Sequence, residues 1–348
     1  MLDLDRFKDI NDTLGHNVGD ILLALVAKRI QKVTRKEDIV ARIGGDEFTV
    51  LLADASTKDE AEVVAKKILE VMIQPTPINN SNLVISTSIG IALYPVSGTT
   101  PVTIMQNADM ALYKAKALGK DNYQFFTEEL QDRLHRDLAI EKALRTAIQH
   151  KELSLHYQCQ VDLNTLHITG FEALLRWNNP DVGNLPPTDF IPIAEKTGII
   201  DQIGLWVLKT ACQQLRDWRD LGHTQITMSI NVSPAQLKSR HFLRNVKAAI
   251  AEFNIPLNML EFEVTEAVIV DTNDNNLEIF HKIRGYGVQL AIDDFGTGYS
   301  SLSYLQYFPI NRLKIDKSFI SNERIGRREA SIIQTNYYSR KRIEYDCY

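Results

Sequence analysis

Two groups of acidic residues near the ends of short apolar runs could carry chemistry in this chain. In the first, Asp46 and Glu47 follow Gly44-Gly45, and Asp3 sits inside the run Leu2-Asp3-Leu4. Carboxylates at the end of one strand and on a neighbouring hairpin can hold Mg²⁺. The ion would neutralise triphosphate charge and position a hydroxyl for in-line attack on phosphorus. Two adjacent glycines let the backbone approach a phosphate closely. The same residues also suit an ordinary hairpin turn, so their surroundings must decide. In the second group, Glu172, Asn231, Glu263, Asp293 with Asp294, and Lys314 fall near the ends of five successive strand-like runs. Oxygen donors without His or Cys favour Mg²⁺ or Mn²⁺ over zinc. An adjacent aspartate pair could bridge two ions and hold the water that attacks a phosphodiester. Asp293-Asp294-Phe295-Gly296 alone would equally make a turn and helix cap, but five polar positions in strand order argue for a site.

The elements that must position these residues can be read from hydrophobic period. Ile21 to Val33 repeats apolar residues at helical spacing behind Asp20, a candidate N-cap. The runs Ile39–Ile43 and Phe48–Leu52 flank Gly-Gly-Asp-Glu as a hairpin. Glu60–Met72 reads as an amphipathic helix, Leu83–Tyr94 as strand, and Thr103–Leu118 as a helix ending at Gly119 in the C-cap place. This order suits an α/β sandwich with a largely antiparallel sheet. Thr127–Ile148 is charged and helical, with an apolar stripe through Leu130, Leu134, Leu138 and Ala139, and reads as a connecting helix. Six strand-like runs follow: Leu153–Val161, Ile168–Trp177, Ile226–Val232, Leu260–Val264, Val288–Ile292 and Arg312–Ile315. Helix-sized segments between strands predict parallel βα units and a barrel, whose active site forms at the C-terminal mouth.

Composition sets outer bounds. A chain of 348 residues suggests two domains. Hydrophobic content of 44% and charged content of 24% are those of an ordinary soluble globular protein. A net charge of −5 argues against a nucleic-acid polymer as partner, while small anionic nucleotides remain open to a metal ion or a few placed cations. Cys159, Cys212 and Cys347 are scattered and odd in number, which reads as reduced thiols in a cytoplasmic protein. No apolar run reaches the roughly 20 residues of a membrane span. The expectation is a soluble, cytoplasmic chain, with a membrane-anchored sensor upstream in a fuller version left open.

The surroundings of the first acidic group resemble the GGDEF diguanylate cyclases, which join two GTP into cyclic di-GMP. The matching segments are Leu2-Asp3-Leu4-Asp5-Arg6-Phe7-Lys8, Ile10-Asn11-Asp12-Thr13-Leu14-Gly15-His16, Gly19-Asp20 and Gly44-Gly45-Asp46-Glu47-Phe48. The resemblance implies that Asp3 and Asp46 are metal ligands, with Leu4 adding a backbone carbonyl, and that Glu47 is the catalytic carboxylate. It implies that Asn11 and Asp20 read the guanine edge. Lys8, Lys116 and Lys120 would clamp phosphates, with the last two expected one helical turn apart. Lysine at 120, where arginine is common, keeps the charge without bidentate geometry. Arg35-Lys36-Glu37-Asp38 fits the RxxD pattern of product-inhibited cyclases, so Arg35 and Asp38 are expected to form an inhibitory site for cyclic di-GMP.

From Leu138 to about Ile320 the chain resembles the EAL phosphodiesterases, which open cyclic di-GMP to linear pGpG. Glu172-Ala173-Leu174-Leu175-Arg176-Trp177, Ser229-Ile230-Asn231-Val232-Ser233, Glu263-Val264-Thr265-Glu266, the run Asp293 to Ser301 and Leu313-Lys314-Ile315-Asp316 all match. The resemblance implies that Glu172, Asn231, Glu263 and Asp293 bind metal and that Asp294 bridges to a second ion. Lys314 would assist the nucleophilic water, Gln158 and Arg176 would contact substrate, and Glu266 would steady the loop after Asp294. Cys159 stands where proline is usual.

The implied fold is α/β. A nucleotidyl-cyclase-like GGDEF sandwich covers 1–126, a connecting helix 127–148, an EAL (β/α)₈ TIM-type barrel 138–320, and an atypical tail 321–348. The resemblance further implies a cyclase domain lacking its start and a barrel lacking its last two strands, one metal ligand and a substrate-contacting glutamine. Three readings stand at this point: an enzyme of cyclic di-GMP turnover using Mg²⁺ or Mn²⁺ and working as a homodimer for synthesis, a catalytically silent cyclic di-GMP receptor, and a non-functional fragment.

Overall fold

The computed structural model describes residues 1–55, 57–78, 81–270, 274–296, 308–316 and 346–347. The chain divides into two compact units, Met1–Arg136 and Asp137–Tyr348.

The first unit is built on β1 (Leu2–Leu4), followed by α1 (Phe7–Leu14), α2 (His16–Val33), β2 (Ile39–Gly44), β3 (Glu47–Leu51) and α3 (Lys58–Met72). After them come β4 (Thr76–Ile78), β5 (Ser81–Leu83), β6 (Thr87–Ile91), α4 (Pro101–Ala117), β7 (Tyr123–Phe125) and α5 (Glu128–Leu144), the last crossing into the second unit. The sheet runs β2-β3-β1-β6-β7, antiparallel except for β6–β7, with β4 and β5 paired apart. Strand alternation assigns the faces. Leu2 and Leu4 join Phe48 and Ile89 in a core shared with Leu22, Val26 and Ile30 of α2 and with Ala65, Ile68 and Met72 of α3. Asp3 therefore points to the opposite face. Burying a side chain such as Leu22 contributes roughly 1.5–3 kcal/mol. On the Asp3 face, α4 lies against β6 at Gly90, where a Cβ would sit 2.8 Å from Leu112 Cα and closer still to the Ala108 carbonyl. Only glycine permits that approach.

Two expectations change here. α2 begins at His16 behind Gly15, whose φ of +86° restarts the helix directly after α1. Asp20 therefore lies a turn inside α2, exposed, and is not its N-cap. In α5 the buried apolar residues are Leu130, Ile140 and Leu144, whereas Leu138 is 62% exposed. The stripe shifts because the inward face follows Ile140 and Leu144, which pack with Ala147 and Trp177 in the second unit's core.

The second unit starts with β8 (Leu153–Val161) and β9 (Ile168–Asn179), then β10 (Gly183–Leu185), α6 (Pro187–Thr197), α7 (Ile200–Asp220), β11 (Thr227–Asn231), α8 (Pro234–Lys238), α9 (Phe242–Phe253) and β12 (Leu260–Thr265). It continues with α10 (Ala267–Val270), α11 (Asp274–Gly285), β13 (Gln289–Phe295), β14 (Arg312–Ile315) and β15 (Asp346–Cys347). Strands β9, β11, β12, β13 and β14 are successive parallel neighbours, and β15 pairs parallel to β14. The first predicted βα unit is corrected: β8 runs antiparallel to β9. The six residues 162–167 are too few for a crossover. Asp162 closes them as a turn, its Oδ1 accepting from the backbone N–H groups of Asn164 and Thr165. Among the described residues no helix is long and apolar enough to cross a membrane.

Strand β12 shows how the barrel becomes polar inside. Leu260, Phe262 and Val264 alternate with Glu261 and Glu263, and all five are buried. The apolar set packs into the core that includes Ile230, Val246, Phe242 and Leu290. The glutamates point the other way, into the barrel interior.

Candidate active site

Strands β9, β12, β13 and β14 bring four charges together. Lys314 Nζ lies 2.6 Å from Glu263 Oε2, 2.9 Å from Glu172 Oε2 and 3.3 Å from Asp293 Oδ2. The Asn231 side-chain amide, at the end of β11, donates to Glu172 Oε1 at 2.8 Å. Glu172, Glu263 and Asp293 each offer an oxygen, and these atoms lie within 4.8 Å of one another. Glu263 is fully buried, and its Oε1 has no hydrogen-bond partner among the described residues. A buried carboxylate oxygen left without a donor is costly, and it fits coordination to a hard divalent cation. The residues present therefore suit such an ion.

The electrostatics follow from burial and crowding. Burial, with the nearby Glu172 and Asp293 charges, pushes the Glu263 carboxyl up to about 8 against the opposing pull of Lys314. Burial pulls Lys314 down, but Glu263, Glu172 and Asp293 more than offset it and hold the ammonium above its ordinary value. Asp294 is also raised, by partial burial and the charges of Asp293 and Asp316. Its backbone adopts φ +54°, and its N–H donates to Asp293 Oδ1 at 3.0 Å. A left-handed aspartate beside a carboxylate cluster is the kind of local strain found at functional sites. Glu266, buried, accepts from the Gly296 N–H at 2.9 Å and so ties β12 to the turn after β13. Residues 297–301 of the expected motif lie outside the described residues. Arg176 is half-buried, donating to the Leu175 carbonyl, and Gln158 is exposed on β8 in register with Glu172. A groove of about 290 Å³ opens beside the carboxylates, lined by Leu174, Arg176, Ile191, Glu195 and Asn231.

The first unit arranges its acids differently. Asp3 and Glu47 are register partners on β1 and β3, and the Asp46 carbonyl accepts from Leu4 N–H at 3.3 Å. Gly45, at φ +51°, makes the turn, and Arg42 Nε donates to its carbonyl at 2.9 Å. Asp3 is buried, which raises its pKa, and Lys116 Nζ at 2.7 Å opposes that rise. Among the described residues, only the barrel gathers three metal-capable groups within 4.8 Å. Asp3, Asp46 and Glu47 are neighbours without forming such a cluster.

Of the expected nucleotide contacts, Lys120 alone lines the groove of about 560 Å³ bounded by Asp5, Arg6, Asp9 and Thr13. Lys8 is exposed on α1, Asp20 is exposed on α2, and Asn11 Oδ1 is buried with no partner among the described residues. Lys116 and Lys120 are not one helical turn apart. The helix stops at Ala117, Gly119 turns the chain at φ +110°, and Lys120 and Asp121 follow at +65° and +48°. Asp5, unassigned by sequence reasoning, holds that turn: it accepts from Ser86 Oγ, Ser88 Oγ and the Asp121 N–H at 2.7, 2.8 and 3.1 Å. At the expected inhibitory site Arg35 is exposed, and Asp38 accepts the backbone N–H groups of Arg35 and Ala53 at 2.7 and 3.2 Å. Sequence reasoning also missed a deeper barrel layer of Gln160, Ser229, Glu261 and Arg312. The spacing Glu-x-Glu in β12 and Arg-x-Lys in β14 could have signalled it.

Comparison with known proteins agrees with both halves. The family model described as "EAL domain" matches residues 141–336, and "Diguanylate cyclase, GGDEF domain" matches residues 1–122. The chain is 44% identical over 322 residues to signaling protein YkoW of Bacillus subtilis, covering 92% of this chain and 40% of YkoW. It is 42% identical over 332 residues to the bifunctional diguanylate cyclase/cyclic di-GMP phosphodiesterase MucR of Pseudomonas aeruginosa, covering 95% and 48%. It thus spans less than half the length of these relatives. A solved PaMucR phosphodiesterase in complex with c-di-GMP superposes with a TM-score of 0.57 at 37% identity, covering 60% of this chain and 85% of that one.

Proposed function

Because the chain belongs to the EAL-domain family and carries a GGDEF domain ahead of its EAL domain, we propose that it turns over cyclic di-GMP, with hydrolysis to pGpG in the barrel as its best-supported activity. The observation that supports this reading is the convergence of Glu172, Glu263, Asp293 and Lys314 from four strands of one parallel ladder. Both families are divalent-metal dependent in general, and Mg²⁺ or Mn²⁺ is the ion proposed here. Glu172, Asn231, Glu263 and Asp293 would hold it, with Asp294 reaching a second ion. Bound there, the metal would lower the pKa of water and offset charge on the phosphodiester.

The chain's own groups supply the rest. Arg176 and Gln158 bind and orient the phosphodiester in the groove beside Glu172. Asp294 accepts a hydrogen bond from the attacking water and Lys314 Nζ fixes it, so that its oxygen faces phosphorus opposite the departing 3′-oxygen. Water adds across one P–O3′ bond, leaving a 5′-phosphate and a free 3′-hydroxyl. Glu266 holds the turn after Asp294 and so keeps that carboxylate aimed.

For the first unit the proposed role is GTP binding and synthesis. Asp3, Asp46 and the Leu4 carbonyl would hold metal, Glu47 would be the catalytic carboxylate, and Asn11 and Asp20 would read guanine. Lys8, Lys116 and Lys120 would meet the phosphates. Joining two GTP requires two half-sites, hence a homodimer. Arg35 and Asp38 would bind cyclic di-GMP as an inhibitor. A cytoplasmic setting fits both nucleotides.

The test is to incubate the purified chain with cyclic di-GMP and Mn²⁺ or Mg²⁺ and resolve products by chromatography. Formation of pGpG that Glu172→Ala abolishes is expected. No pGpG from the parent with either ion would overturn the hydrolytic reading.

A further inference from the structure

Beneath the carboxylate cluster lies a second set of polar side chains to which no role has been given. Strand β12 sends Glu261 and Glu263 into the interior, β14 sends Arg312 and Lys314, and β11 sends Ser229 and Asn231. Each pair is two residues apart, so the same strands thread two layers separated by roughly 6–7 Å. In the lower layer Glu261, 0% exposed, accepts from Arg312 Nη1 at 3.0 Å and from Ser229 Oγ at 2.7 Å. Gln160 of β8 donates to Ser229 Oγ at 3.3 Å and accepts from Arg312 Nη1 at 3.4 Å. The result is a ring joining β8, β11, β12 and β14.

We infer that this ring is a positioning device for the phosphodiesterase site above it, with the Arg312–Glu261 pair setting the height at which Lys314 meets Glu172, Glu263 and Asp293. The inference rests on the function proposed for that site. Three features support it. The β13–β14 ladder is irregular between Ile292 and Phe295, so backbone pairing alone fixes β14 loosely at the level of Lys314. Between β12 and β14 stands β13, and its buried Ala291 is in register with both Glu263 and Arg312. A methyl group there leaves space for arginine to reach Glu261 across the intervening strand. Finally, Arg312 and Lys314 share a four-residue strand, so a shift of one carries the other. A misplacement of about 1 Å at reacting groups can cost about 10²-fold in rate. Arg312 is therefore a positioning residue, acting through Lys314 and Glu263.

Two variants of the full chain separate positioning from support of the fold. Arg312→Lys keeps the charge and loses the rigid fork. The double variant Glu261→Leu/Arg312→Met removes both charges together, a change that is often neutral or stabilising for a buried pair. Three quantities are read: kcat and KM for pGpG formation, Mn²⁺ affinity from the spin-resonance signal of free Mn²⁺, and thermal stability. Each folded variant should lose at least tenfold in kcat with KM within twofold, and should bind Mn²⁺ at least fivefold more weakly. A folded variant with parent kcat, KM and Mn²⁺ affinity overturns the inference. If the parent binds Mn²⁺ but forms no pGpG, the proposed reaction is wrong and the Mn²⁺ affinities alone decide for or against positioning. A parent that binds no Mn²⁺ overturns both.

Discussion

The two acidic sites use one kind of donor and reach different states of assembly. In the barrel, Glu172, Glu263 and Asp293 converge on Lys314. Glu172 and Glu263 are anchored in strands whose register is fixed by neighbours on both sides, and Asp293 is paired with Thr265 of β12. In the first unit, Asp46 sits on a two-residue turn, and Asp3 is matched with a lysine from α4 rather than gathered with other acids. Like charges on neighbouring strands repel unless a cation stands among them. The barrel carries that cation on its own strand, whereas in the first unit Lys116 meets Asp3. Neighbouring strands thus gather the barrel's acids around one lysine, whereas the hairpin keeps its acids apart.

The largest expected effect breaks the comparison at the barrel. Glu172→Ala removes an oxygen from the carboxylate cluster and a partner from both Lys314 and Asn231. Formation of pGpG should fall by at least about 10³-fold, the scale seen when a charge-stabilising group is lost. EDTA should do the same to the parent. Residual turnover within tenfold of the parent, in either case, would remove the cluster from catalysis.

The second prediction sharpens the contrast in assembly. Asp46→Ala should abolish Mg²⁺-dependent GTP binding in calorimetry, a loss of at least about 10²-fold. It should leave the barrel's binding of Mn²⁺ without nucleotide unchanged. Unchanged GTP affinity would sink the assignment of Asp46 as a metal ligand. Loss of Mn²⁺ binding without nucleotide would show that the two sites are not independent.

What the sequence made legible tracks how local the cause is. Short apolar runs placed the five polar barrel positions on successive strand-like segments, because a local run needs no distant information. Lys120 was misplaced for a local reason that was already visible. Gly119 ends the helix, and a residue beyond a left-handed turn cannot continue its face. The antiparallel start of the barrel was equally readable from the six residues between β8 and β9. The Glu261–Arg312 ring was harder to see, since these two members are 51 residues apart and meet only across the intervening strand β13. Asp38 shows a further limit. Its oxygens bind local backbone N–H groups, a structural task that a motif match does not reveal.

A third, smaller effect concerns the site that should need no metal. Arg35→Ala should weaken cyclic di-GMP binding measured in EDTA at least tenfold, about 1.4 kcal/mol or more, as expected of a charge-assisted contact. Equal affinity in mutant and parent would remove the Arg35–Asp38 site from the account. It would also leave the metal sites as the nucleotide-binding places to test.

The smallest effect is a slope rather than a loss, and it can be read from one unit alone. All three tryptophans, Trp177, Trp206 and Trp218, lie in the second unit, so their fluorescence on urea unfolding follows the barrel. Burial, reinforced by Glu172 and Asp293, holds the metal-free Glu263 carboxyl at about 8, far above its ordinary value. Between the ordinary carboxyl range near 4.5 and that raised value, the folded state binds more protons than the unfolded one. The contribution of Glu263 to stability therefore falls as pH rises through this window. Lys314 does not cancel the slope. Its pKa is raised above the ordinary lysine value, so its contribution is complete throughout this range and is lost only at higher pH. In EDTA the parent barrel should lose stability steadily from pH 5 to pH 8. Glu263→Gln, neutral in both states, should flatten the slope, whereas Asp46→Ala should leave it as it is. A parent barrel as stable at pH 8 as at pH 5 would show that the Glu263 carboxyl is already ionised. The crowding that distinguishes this site from the first unit's would then be neutralised by Lys314 alone.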